Sequence, residues 1–166
     1  MALSFVIRKY HDEDREQCRA LWRELTEHHR QIYQDPSIGG EHPEDYFDKH
    51  LATVGSEQLW VAVQDSVVGL VGLILKEEQA EVEPLIVSKA YRGKGIGTRL
   101  VEHVISVARE KGVRFLDVKP VARNVSTVKF LYRRGFRNLG HMDLFIDLSD
   151  SAWKPGPRIF GCRFNY

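Results

Sequence analysis

Arg92, Gly93, Lys94, Gly95, Ile96, Gly97 and Thr98 form an unbroken run that follows the apolar triplet Leu85-Ile86-Val87 and opens into Leu100, Val101, Val104, Ile105 and Ala108. Glycines at alternate positions let a backbone approach a ligand closely, and the amides that open the following helix have no partners of their own. With Arg92 and Lys94 alongside, the stretch reads as a phosphate cradle. Just upstream, Glu81 and Glu83 alternate with Val82 on an extended run, so both carboxylates face one side. Two like charges placed so would raise one pKa toward the working pH, as a general base requires.

Spacing separates this cradle from the common nucleotide motifs. A P-loop places Lys and Ser/Thr after its last glycine, whereas Lys94 here precedes Gly95 and Gly97. A dinucleotide fingerprint would need glycine at 98 or 100, where Thr98 and Leu100 stand. What remains is Arg92-x-x-Gly95-x-Gly97 between an apolar strand and an amphipathic helix.

The elements that must hold these residues can be read in order. Leu3 to Lys9 is a first strand with Asp12 as the N-cap of the helix that follows, which buries Cys18, Leu21, Trp22, Leu25 and Ile32. Residues 34–40 break it, and a short second helix carries Tyr46, Phe47, Leu51 and Val54. Strands over 58–63 and 67–75 form a hairpin around Asp65-Ser66, and a third begins at Ala80. After the cradle helix come a strand over 113–118, a helix opened by Asn124, a strand over 142–148, a Trp153 to Pro157 loop, and a closing strand over 158–164. The order β α α β β β α β α β β predicts an α+β fold, an α/β/α sandwich whose mixed, mostly antiparallel sheet of about seven strands is flanked by helices.

Composition bounds the rest. A chain of 166 residues with 43% apolar and 28% charged residues suits one globular domain, taken here as 1–166. A formal charge of +1 offers no basic field for nucleic acid. No apolar run approaches the ~20 residues of a membrane span, and the first residues carry no targeting pattern, so a soluble cytoplasmic protein without a membrane partner is expected. Cys18 and Cys162 lack metal or disulfide spacing, and His28, His29, His42 and His50 lack a zinc pattern, so no metal is expected.

The Arg92-x-x-Gly95-x-Gly97 stretch, with Asn124 followed by Gly135-Phe136, resembles the acyl-CoA-binding motif and second helix of the GNAT superfamily of N-acetyltransferases. The likeness covers nearly the whole chain. It implies an acetyltransferase using acetyl-CoA as acyl donor. The backbone at Leu85, Ile86 and Val87 would bond the pantetheine arm as an added strand, the Gly93 to Thr98 amides would hold the pyrophosphate, and Asn124 would belong to the cofactor site. Glu81 or Glu83 would be the base, with Asp117 on the next strand a rival. The family's acid, a tyrosine at the position of Leu131, is missing, and Tyr132 is the neighbouring candidate.

The acceptor would be a primary amine on a small molecule, peptide or protein, lined by the connection between the first two helices and by the last hairpin. That connection is acidic and aromatic, with Tyr33, Asp35, Glu41, Glu44, Asp45, Tyr46 and Asp48, which suits a cationic amine. Leu131 also keeps open a non-catalytic acyl-CoA sensor or regulatory module. A homodimer fits the family resemblance, although no sequence feature sets the oligomeric state.

Overall fold

The computed structural model describes residues 4–149 and 152–166. Up to Lys119 the chain forms one compact unit, and from Pro120 a second. In the first, β1 (Val6–Lys9), β2 (Leu59–Val63), β3 (Val67–Lys76) and β4 (Gln79–Val87) pair antiparallel in succession, and β5 (Phe115–Asp117) joins β4 in parallel. The hairpin between β2 and β3 turns at Asp65-Ser66, as its polar pair predicts.

Two helices, α1 (Arg15–Tyr33) and α2 (Asp45–Val54), bury their apolar stripes together. Cys18, Leu21 and Phe47 join Leu59, Val61, Leu70 and Ile86 in one buried cluster, against which Trp22, Leu25 and Leu51 pack. Each such side chain taken from water contributes on the order of 1.5–3 kcal/mol. Trp60, between Leu59 and Val61, points the other way and meets His103 of α3 (Ile96–Glu110) edge-on at 5.3 Å. Strand alternation therefore puts α1 and α2 on one face of the sheet and α3 on the other.

The second unit holds α4 (Val125–Arg133) and a hairpin of β6 (Pro155–Ile159) and β7 (Cys162–Asn165). The order of element types is the predicted one, and the mostly antiparallel sheet flanked by helices is found. Its strands divide differently: five lie in the central sheet and two in this separate hairpin. The strand predicted over 142–148 is not found: among the described residues it joins no strand, and Leu144, Ile146 and Leu148 are exposed. Alternation alone does not make a strand, because its amides need a ladder partner. The predicted closing strand instead folds back at Phe160-Gly161, where both residues take left-handed φ values of 52° and 79°.

Two boundaries also move. Leu3 lies outside the described residues, and β1 is observed from Val6. Asp12 opens a short 3-10 turn rather than capping α1; Asp14 ends that turn, buried, accepting from the two terminal guanidinium nitrogens of Arg8 at 2.6 and 2.8 Å. Among the described residues no helix is long and apolar enough to cross a membrane. Cys18 and Cys162 are free thiols, and burial pushes the Cys18 thiol up to about 12.

Candidate functional site

β4 is the element on which the site is built. It pairs with β5 only at Gln79, Ala80 and Glu81. On its other side Leu85, Ile86 and Val87 oppose Val71, Leu70 and Gly69 of β3, but the register slips between Val71 and Leu73, so that Glu83 and Pro84 together face Gly72. This is a β-bulge, which bends the bulged strand and increases its twist. A side chain at Gly72 would overlap the Glu83 carbonyl oxygen and come within 3.0 Å of Pro84, so only glycine fits there. Beyond Glu81, the edge of β4 that would face β5 takes no strand from the described residues.

That edge runs into the glycine turn. Gly93 and Gly95 have φ of 75° and 86°, and a Cβ on either would meet nothing within 4 Å. Their left-handed backbone, rather than crowding, therefore calls for glycine, and it leaves open space above the turn. Ile96 is buried and anchors the start of α3. No side chain caps that start, and Arg99 is the residue whose amide bonds back to Gly95, at 3.1 Å. The amides of Ile96, Gly97 and Thr98 thus stand before the first helical bond.

The flanking cations are partly engaged. Arg92 Nε donates to the Val87 carbonyl at 2.9 Å, clipping the turn to the end of β4, while the Lys94 ammonium lies 4.9 Å from the centre of the Tyr91 ring. His28 feels the local charge: burial first, then Arg92 and Lys89, hold its pKa below the ordinary value.

The two β4 carboxylates differ sharply. Glu81 is buried, and its Oε2 accepts from Lys76 and Lys119, each at 2.7 Å. Burial pushes this carboxyl up, yet the two lysine hydrogen bonds outweigh it and hold it below its ordinary value. That is the reverse of the elevation predicted from a like-charged neighbour. Glu83 is half-exposed at the bulge, with Oε1 4.0 Å from Nδ1 of the buried His50 on α2. Asp117 is exposed and sits opposite Glu81 in the parallel register.

Within the second unit, Asn124 caps α4, its Oδ1 accepting from the Thr127 amide at 3.2 Å and the Ser126 hydroxyl at 2.9 Å. Leu131 is buried, whereas Tyr132 is 56% exposed with the Arg137 guanidinium 5.4 Å from its ring centre. One residue along a helix is a rotation of about 100°, and here it takes the side chain from core to surface. Trp153 is fixed by its indole N–H, which donates to Asp147 at 2.7 Å, and by an edge contact with Phe145.

Three of the acidic residues at the start of α2 are paired within the chain. Asp48 takes Arg15 and Arg19, Asp45 takes Arg19, and Glu44 takes Arg23. Arg23 holds the Glu44 carboxyl down to about 2. Tyr46 is stacked by Lys49. Arginines on α1 therefore offset the negative field at these three carboxylates.

His50, Lys76, Lys119 and Gly72 escape the sequence reading. For His50 a signal exists: with Phe47, Leu51 and Val54 it completes a helical apolar stripe, and a polar residue in such a stripe is the informative exception.

The sequence pattern of the acetyltransferase (GNAT) family matches residues 19–136. An uncharacterized N-acetyltransferase of Methanocaldococcus jannaschii is 35% identical over 63 residues, 38% of this chain and 28% of the relative, so the match spans well under half of that protein's length. An acetyltransferase of the GNAT family from Staphylococcus aureus superposes with a TM-score of 0.70 at 20% identity, covering 89% of this chain and 95% of the other. PaiA N-acetyltransferase from Thermoplasma acidophilum, solved with coenzyme A, superposes with a TM-score of 0.66 at 19% identity over 98% and 96% of the two chains.

Proposed function

Because the chain belongs to the acetyltransferase (GNAT) family, we propose that it moves an acetyl group from acetyl-CoA to a primary amine by direct attack in a ternary complex, residues 1–166 acting as one domain. The observation that carries this is the free edge of β4 leading into an uncapped helix start. A pantetheine arm has amides that can join a strand edge, and a pyrophosphate needs unpaired amides at a helix N-terminus. Leu85 to Val87 supply the first and Gly93 to Thr98 the second. The coenzyme A bound by the PaiA enzyme supports the same donor. The family match runs across both units, which supports a single working domain that includes Asn124.

Of the β4 carboxylates, Glu83 suits the base better. Glu81 already holds two ammonium groups and stays ionised as their partner, while Glu83 lies half in solvent where an acceptor can reach it. Glu83 takes one proton from the acceptor ammonium, freeing the nitrogen lone pair. The N–C bond forms, the C–S bond breaks, and the second nitrogen proton leaves with the CoA sulfur as thiol. With leucine at 131, where the resemblance puts the acid, solvent and backbone amides assist the departing sulfur, and Tyr132 is the candidate to test beside them.

A thiol-release assay with acetyl-CoA over a panel of amines, polyamines, amino acids and peptides tests this. Turnover on at least one acceptor is expected. Micromolar acetyl-CoA binding with no turnover on any acceptor would point instead to the regulatory module that Leu131 favours.

A further inference from the structure

His50 is a histidine that the fold has gone to some length to bury. Its side chain is 8% exposed, its ring lies 5.3 Å from that of Trp22 on α1, and its buried Nε2 has no hydrogen-bond partner among the described residues. A buried ring nitrogen without a partner costs on the order of 1–3 kcal/mol, which draws attention to the other nitrogen. That nitrogen, Nδ1, faces Oε1 of Glu83 at 4.0 Å.

Glu83 itself needs holding. It sits half-exposed at a bulge, where a carboxylate would otherwise sample several rotamers. His50 comes from α2 and Glu83 from β4, and the ring of Trp22 pins the imidazole from a third element. Catalytic hydrogen bonds are often long in a free enzyme and shorten when substrate binds, so 4.0 Å suits a pair that closes on the acceptor.

We propose that His50 is the positioning residue for Glu83, its neutral imidazole steering one carboxylate oxygen so that the other meets the acceptor ammonium. This rests on the reading of Glu83 as the base. Burial holds the His50 pKa below its ordinary value, while the Glu83 charge and backbone work to raise it. The Lys119 ammonium also lies within electrostatic reach of Glu83. Lys119 itself donates to Glu81.

Two measurements test the pair. In the thiol-release assay, His50→Phe keeps the ring against Trp22 but loses Nδ1, and kcat should fall about tenfold or more with the KM for acetyl-CoA within about twofold. His50→Gln, which restores a donor, should recover part of the loss, whereas a merely structural role would leave Gln no better than Phe. An unchanged kcat in His50→Phe beside a disabled Glu83→Gln would overturn the positioning role and leave the base intact. An active Glu83→Gln would remove the base reading and this inference with it. Independently of turnover, the His50 ring titration followed by nitrogen NMR should move to lower pH in Glu83→Gln. An unmoved midpoint would show the two groups uncoupled and sink the proposal even if His50→Phe fails to fold.

Discussion

The glycine turn and the acidic connection between α1 and α2 both attract attention for their chemistry, and the structure treats them oppositely. At the turn polar groups are left over: amides before the first helical bond, open space above Gly93 and Gly95, and, the Val87 carbonyl apart, a strand edge that takes no strand among the described residues. At the start of α2 they are used up, with Asp45, Asp48 and Glu44 each held by an arginine of α1. A site is recognised by what the fold does not satisfy. The density of charge in a sequence says little about that.

Changing the turn should break this contrast most severely. Gly95→Val forces a β-branched residue into φ of 86°, and acetyl-CoA affinity by calorimetry should fall about 100-fold or more while far-ultraviolet circular dichroism is retained. Unchanged affinity would remove the cradle. Next come the carboxylates: Glu83→Gln should lower kcat about 10²-fold or more, as loss of a general base does. Glu81→Gln should show itself first as a lower melting temperature with a smaller loss of kcat, because its burial and two lysine partners give it a structural task. The reverse order would make Glu81 the base.

The smallest effect belongs to the paired region. Glu44 has its carboxyl held down to about 2 against an ordinary 4.5, so its contribution to stability is full above about 4.5 and is lost as the pH falls toward 2. Glu44→Gln should melt a few degrees below the parent at neutral pH, converge with it in acid, and leave turnover unaltered. Lost turnover would return that face to the acceptor site.

The parts legible in the sequence are those fixed by local pattern. The turn between β2 and β3, the stripe of α1 and the glycine-opened start of α3 follow from periodicity and from residue types that few other backbones accept. The parts that escape depend on distant partners. Glu81 meets Lys119 across 38 residues, and nothing in the spacing of Glu81 and Glu83 says that one will be sequestered and the other exposed. The run 142–148 has the alternation of a strand, yet whether it becomes one turns on a neighbour that alternation does not specify. His50 lies between these cases, placed by its helix stripe but paired only by the fold.

Gly72 lies on β3, one strand over from Glu83. Its missing side chain is the room into which Glu83 and Pro84 bulge, between Leu59 on one flank and β4 on the other. A single methyl at position 72 would overlap the Glu83 carbonyl oxygen, so an alanine there would displace the backbone that carries Glu83. The residue works as a template does in casting: absent from the finished surface, it sets where the surface lies.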